Sequence, residues 1–323
     1  MDIIQVTELT KKFGDVLAVD HISFTVRKGE IFGFLGPNGA GKSTTINMLS
    51  TLLRPTEGSA TINGFDVLTQ RDEVRKSIGL VFQDPSLDDR LTAEENLRFH
   101  ARLYGVPKTV YRKRMEEVLR LVDLWDRREG IVKTFSGGMK RRLEIARGLI
   151  HYPRVLFLDE PTLGLDPQTR VHLWDYILKL KRERGMTIFM TTHYMNEAEY
   201  CDRIAIIDHG KIVALDTPAN LKKQVGGDVV RIKSHDKALK EKLRARYKKE
   251  VQEENGMMQL EISDGEKFLP QLLGEFGARI DAVELRKPTL DDVFLALTGR
   301  TIREEEASGK EYMRQQLRIR GRR

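Results

Sequence analysis

Residues 36–43 read GPNGAGKS, the pattern G-x-x-x-x-G-K-[ST], set after the apolar run IFGFL and before a helical stretch. Glycines at these positions let main-chain N–H groups curl around an anion with no Cβ in the way. A helix starting near Gly41 adds about half a unit of positive charge at its N-terminus. Lys42 is then placed to reach the β- and γ-phosphates of a nucleoside triphosphate, and Ser43 to ligate Mg²⁺. The bland alternative is a glycine-rich turn that merely joins strand to helix. The complete pattern in this context selects the phosphate site.

A second set of residues supplies what hydrolysis needs. VLFLDE at 155–160 reads as a buried strand whose end delivers Asp159 beside a metal ion. Glu160 follows at once, placed to take a proton from an attacking water. Gln83, just past GLVF, can contact both metal and water. His193 ends MTIFMTT, where an imidazole can meet the γ-phosphate. Taken alone, each of these two residues reads first as structural. A further glycine turn, TFSGGMKRR at 134–142, opens a basic helical stretch. Its serine hydroxyl, glycine N–H groups and helix N-terminus make another anion site, far along the chain from the first.

The surrounding elements must position these groups. Residues 2–35 alternate apolar and polar positions in short pieces, which predicts strands. Ser43–Leu53 reads as a helix, and Ser59–Ile62 and Ile78–Phe82 as strands. Residues 87–150 read as a helical insert that opens on a capping box, Thr92 with Glu95, and breaks near Gly105-Val-Pro107. Strands and helices alternate again from RVLFLDE onward, which argues for a mostly parallel, buried sheet. Near Gly226-Gly227 the character shifts, and VVRIK, MQLEIS and IDAVELR predict three strands of an accessory domain, each followed by a helix. Leu290, Val293, Phe294 and Leu297 share one helical face, expected to pack inside that domain. The last twelve residues hold five arginines and no acid, the composition of a solvated tail or of a segment that meets anionic lipid.

Bulk composition narrows the class. The chain has 323 residues, 40% hydrophobic and 32% charged, as expected of a soluble globular protein. No apolar run approaches the roughly 20 residues that span a bilayer. The N-terminus lacks a basic region followed by an apolar core, which argues against a signal peptide. The single Cys201 suits a reducing compartment and reads as a half-buried packing residue. A net charge of +7 suits nucleotides, phospholipid surfaces or nucleic acid without choosing among them.

Taken together, the motifs over about residues 1–224 resemble the nucleotide-binding subunit of ABC transporters. The resemblance implies an α/β fold: a P-loop core with a mostly parallel sheet plus an antiparallel β part, and a helical subdomain at about 87–150. A small α+β domain at 225–300 and a charged, flexible tail at 301–323 would follow. It implies ATP and Mg²⁺ as cofactors. Phe13 in KKFG would stack on adenine, and Gly36, Pro37, Asn38, Gly39, Ala40, Gly41, Lys42, Ser43 and Thr44 would surround the phosphates. Ser43, Gln83 and Asp159 would hold the metal, while Glu160, His193, Gln83 and Lys42 would carry hydrolysis. Ser136-Gly137-Gly138 matches the family's signature turn, and Asp166 in GLDP lies on the loop that crosses to a partner. In the family two subunits pack head to tail, so that SGG of one chain caps the γ-phosphate held by the other. Here Phe135 and Met139 flank the turn where the family usually has leucine and glutamine.

RKPTLDDVFLALTGR at 286–300 resembles the accessory domain of drug-export ATPases of the daunorubicin-resistance type. This implies an exporter of drugs, lipids or other hydrophobic compounds. It also implies a second copy of the chain, separate integral-membrane permease subunits, and a cytoplasmic position on the inner face of the cell membrane. No nucleic acid is expected. The alternative is a soluble ABC ATPase acting on nucleic acid or ribosomes. Against it stand the short interval between Gln83 and Ser136 and the presence of one cassette. A regulatory module that binds ATP without hydrolysing it is disfavoured by the intact Lys42, Gln83, Glu160 and His193.

Overall fold

The structure is a computed structural model and describes residues 1–299 apart from 85, 237, 255 and 256; the tail expected over 301–323 lies outside the described residues. The chain begins with two long strands, β1 (Asp2–Phe13) and β2 (Val16–Arg27), followed by β3 (Ile31–Leu35) and α1 (Lys42–Leu49). Next come β4 (Glu57–Ile62), β5 (Phe65–Asp66), α2 (Arg71–Ser77) and β6 (Ile78–Val81). The helical insert comprises α3 (Ala93–Leu103), α4 (Lys108–Leu121) and α5 (Gly137–Leu149). Thr92 and Glu95 close the predicted capping box on α3. The core resumes with β7 (Val155–Asp159), α6 (Pro167–Arg184), β8 (Thr187–Thr192) and α7 (Met195–Ala198). It ends on β9 (Arg203–Asp208) and β10 (Lys211–Asp216).

These strands form two sheets. An antiparallel one runs β2-β1-β4-β5, and a six-stranded one runs β10-β9-β3-β8-β7-β6. In the second, β9, β3, β8, β7 and β6 are parallel and only β10 is antiparallel. Every residue of β3, β7 and β8 is buried, as a sheet covered on both faces requires. Apolar side chains of both sheets and of α1 share one core. At its centre, Phe189 of β8 lies 5.3–6.0 Å, ring to ring, from Phe24, Phe32, Phe34 and Phe157.

Register does the positioning. Leu35 pairs with Thr192 across β3 and β8, and Asp159 pairs with Thr191 across β7 and β8. The residues that follow these strand ends, Gly36, Glu160 and His193, therefore emerge side by side at the carboxyl edge of the sheet. Open parallel sheets bind ligands at that edge.

The chain divides between Asp216 and Thr217. The second unit holds α8 (Pro218–Val225), β11 (Asp228–Lys233), α9 (Leu239–Tyr247), β12 (Gln252–Glu254), β13 (Met257–Ile262), α10 (Gly265–Phe276), β14 (Ala282–Arg286) and α11 (Leu290–Thr298). From β11 to β14 the order is βαββαβ, with an antiparallel sheet arranged β12-β13-β11-β14, a ferredoxin-like topology. Leu239 and Leu243 of α9 and Phe268 and Leu272 of α10 join Val230, Ile232 and Leu260 in its core. α8 packs on α11, so the shift of character at Gly226 falls inside this unit. Leu290, Val293 and Phe294 are buried as expected, but Leu297 is 43% exposed, because the last turn of α11 runs past the packed face. Cys201, expected half-buried, is buried against Gly33.

Phe189→Ala removes the side chain common to these four aromatic contacts. It should destabilise the first unit by about 3–5 kcal/mol, read as a lower denaturant midpoint of that unit's unfolding.

Candidate functional site

The loop after β3 is held in place by close main-chain approaches. A Cβ on Gly36 would stand 2.3 Å from the carbonyl oxygen of Ile207, and one on Gly41 would stand 2.6 Å from that of Ala18. Gly41 also has φ +107°, a conformation that favours glycine. Pro37 and Ala40 are buried, whereas Asn38 and Gly39 form an exposed crest. The N-cap of α1 is Gly41, which has no side chain with which to cap the helix. Lys42, only 4% exposed, donates from Nζ to the carbonyls of Gly36 (2.8 Å) and Pro37 (2.9 Å). A helix N-terminus beside a buried ammonium fits the phosphates of a nucleotide.

Glu160 faces this lysine. Its Oε1 lies 3.2 Å from Lys42 Nζ, and its Oε2 lies 3.3 Å from Nδ1 of His193. Burial pushes the Glu160 carboxyl up, but the His193 hydrogen bond and the Lys42 charge outweigh it and hold the group below the usual carboxylate value. Glu160 is therefore ionised at neutral pH. It also has φ +44°, a left-handed conformation that is uncommon for glutamate.

Asp159 sits beside it. Its Oδ1 accepts from Ser43 Oγ at 3.2 Å and from Thr191 Oγ1 at 2.5 Å. Thr191 Oγ1 in turn accepts from the Glu160 N–H at 3.0 Å. A serine hydroxyl converging on an aspartate is a hard-oxygen pair that fits Mg²⁺. Among the described residues no cluster of three or more His, Cys, Asp or Glu could cage a metal alone. Such an ion would complete its shell from water and phosphate oxygens. Thr44 is half-buried, and Gln83 is exposed past the end of β6, with no hydrogen bond to the cluster among the described residues. Phe13, 48% exposed at the end of β1, has Lys11 Nζ 5.0 Å from its ring centre and offers an open aromatic face.

The second anion turn is built differently. Ser136 caps α5, its Oγ accepting from the N–H of Met139 at 3.2 Å. Met139 thus serves the turn through its main chain, and Phe135 is buried behind it. The place where a Cβ of Gly137 would stand has no neighbour within 4 Å, while one on Gly138 would meet Thr169 at 2.4 Å. Beside the turn lies a cavity of about 310 Å³ lined by Ser136, Gly138, Met139, Arg142, Asp123 and His172, among others. None of residues 36–44 lines it, so the fold does not bring the two anion turns of one chain together there. Asp166 is exposed and caps α6, accepting from Thr169 N at 3.0 Å.

Among the contributors that escape sequence reasoning are two threonine-linked ones. Thr191 is one, as described. The other is Glu197, 1% exposed, whose carboxylate accepts from Thr162 and, at 2.8 Å, from Thr192. Burial raises its proton affinity above the ordinary carboxylate value. It joins the loop after Glu160 to the residue before His193. Neither residue stands in a motif by spacing, because both contacts depend on β7 and β8 lying side by side.

Thr191→Val keeps the shape and removes both hydrogen bonds. It should cost about 1–3 kcal/mol of stability and raise the Mg²⁺ concentration needed for half-maximal ATP hydrolysis, read by denaturation and by a metal titration of turnover.

Comparison with known proteins agrees with this geometry. The family described as "ABC transporter" matches residues 19–163, and the C-terminal domain of DrrA1-3-like ATP-binding proteins matches residues 217–298. The linearmycin resistance ATP-binding protein LnrL of Bacillus subtilis is 39% identical over 93% of this chain and 100% of its own length. The daunorubicin/doxorubicin resistance ATP-binding protein DrrA of Streptomyces peucetius is 40% identical over 92% of each. Among solved structures, the dimeric post-hydrolysis state of the ATP-binding cassette MJ0796 bound to ADP and phosphate is 30% identical. It superposes with a TM-score of 0.60 over 66% of this chain and 98% of that one. With a phosphate loop, an acidic pair and a histidine at one sheet edge, and relatives alike over nearly their whole length, the chain belongs to the ABC transporter family as one of its ATP-binding ATPase chains.

Proposed function

We propose that the chain powers export of drugs, lipids or other hydrophobic compounds. It would work as a head-to-tail pair bound to separate membrane-spanning permease subunits on the cytoplasmic face of the cell membrane. The observation that carries the ATPase part is the buried contact of Lys42, Glu160 and His193 at the N-terminus of α1. The export part rests on the match of residues 217–298 to the DrrA-type domain and on relatives named for drug resistance. No described helix is long and apolar enough to cross a membrane.

The residues divide the work as follows. Phe13 stacks on the base, and the main-chain N–H groups of residues 36–44, Pro37 excepted, bind the phosphates. Lys42 turns from the carbonyls of Gly36 and Pro37 toward the phosphate oxygens. Mg²⁺, held by Ser43 and Asp159 with Gln83 swinging in, would offset charge on the phosphates. Glu160 accepts the proton of the attacking water more readily once Lys42 Nζ leaves its Oε1, because loss of a neighbouring cation raises a carboxylate's proton affinity. His193 holds the other carboxylate oxygen and orients it. Ser136, Gly137 and Gly138 of one copy close over the phosphates in the other, and the Asp166 loop lies at that junction.

Light scattering on Glu160→Gln should show a monomer that doubles its molar mass on adding Mg-ATP. Adding Ser136→Arg should abolish the doubling while ATP still binds. A Glu160→Gln chain that binds ATP and stays monomeric, alone and with its permease, would rule out the shared site.

A further inference from the structure

Arg141 lies in the second turn of α5 and is buried, 6% exposed. Its Nε donates to the carbonyl of Pro161 at 2.7 Å. Nη1 donates to the carbonyl of Phe82 and to Glu144 Oε2, the latter at 3.0 Å. Nη2 donates to the carbonyls of Asp159 at 3.0 Å and Glu160 at 3.2 Å. A guanidinium has five N–H donors, and here all five are engaged. Four of the five acceptors are main-chain oxygens at the carboxyl ends of β6 and β7.

The placement matters because of what those carbonyls belong to. Glu160 occupies a left-handed conformation that is costly for a residue with a side chain and persists only where its surroundings hold it. Arg141 bonds the carbonyl of that residue and those on either side, so it fixes the peptide planes from which the Glu160 side chain is aimed. The fourth carbonyl, that of Phe82, immediately precedes Gln83. Glu144, fully buried, answers the Arg141 charge with one oxygen and accepts from the Ser86 N–H at 2.8 Å with the other. Arg147, one turn further on, donates to the Ser86 carbonyl at 2.7 Å. α5 therefore grips the end of β7 and the loop containing Gln83 with one face, while its N-terminus carries Ser136.

We propose that Arg141 is a positioning residue for Glu160, tying the aim of the hydrolytic carboxylate to the helix that carries the signature turn. The inference deepens the proposed function and rests on the hydrolytic role given there to Glu160. A displacement of α5, when Ser136 engages a phosphate in the partner copy, pulls on the carbonyls of Phe82, Asp159, Glu160 and Pro161 together. Each copy thereby senses the other's nucleotide through one guanidinium. Lysine cannot replace it, since an ammonium has three donors and no planar fork.

The test compares the purified full chain, Glu160→Gln and Arg141→Lys for kcat, KM for Mg-ATP, affinity for a non-hydrolysable ATP analogue and thermal midpoint. Arg141→Lys should lower kcat by about tenfold to a hundredfold, as a misaimed group does, with KM and analogue affinity within about twofold. An unchanged kcat in folded Arg141→Lys, or a fall shared equally by kcat, analogue affinity and thermal midpoint, would overturn the inference. If Arg141→Lys melts below the assay temperature, Glu144→Gln carries the same prediction with a smaller fall. A Glu160→Gln chain that turns over at the wild-type rate would sink the hydrolytic reading as well, whereas a dead Glu160→Gln beside an unaffected Arg141→Lys would sink the inference alone.

Discussion

Lys42 and Glu160 meet at 3.2 Å where both are nearly removed from water. Neither charge could stay buried there alone, because an unpaired buried charge is far costlier than a paired one. The contact therefore constrains both sides. The loop after β3 must curl so that its carbonyls share the ammonium, and the chain after β7 must turn at once into a left-handed residue to aim the carboxylate. The pairing of β3, β8 and β7 in register, and the aromatic core under Phe189, hold these two turns at the spacing the pair needs. A phosphate offers Lys42 a stronger partner than loop carbonyls do. Under the proposed function the pair is thus an arrangement that a bound phosphate would disturb.

The second anion turn makes sense against that background. Ser136 begins a helix as its cap and faces a cavity to which the loop of its own chain contributes nothing. Under the proposed function such a turn would take its anion from another copy. The departures at Phe135 and Met139 leave the turn's hydrogen bonding intact, since Phe135 packs behind it and Met139 supplies only a main-chain N–H.

Much of this was legible in the sequence, for a physical reason. Residues 36–43, 136–138 and 159–160 form contiguous patterns because each is a single turn at the end of one element, so spacing along the chain is also spacing in space. The capping boxes at Thr92 and Thr289 are local in the same sense and form as read. What stayed hidden depends on elements meeting from afar. Thr191 matters only because β8 lies beside β7, and Glu197 only because α7 folds back under the loop after Glu160. Arg141 reads as one more cation in a basic stretch until four carbonyls are seen around it. The short strands β5 and β12 carry too few residues to show a period, and Leu297 obeys the helical stripe yet lies beyond the face that packs.

The His193 hydrogen bond and the Lys42 charge together hold the proton affinity of Glu160 down, and a nucleotide that draws the lysine away should raise it. The direct measurement is the titration of the Glu160 carboxyl in protein with isotope-labelled glutamate, assigned by its loss in Glu160→Gln, with and without a non-hydrolysable ATP analogue. The account predicts a midpoint below the ordinary carboxylate value in the free chain and a rise when the analogue binds. A midpoint that starts at the ordinary value, or that does not move on binding, would contradict it.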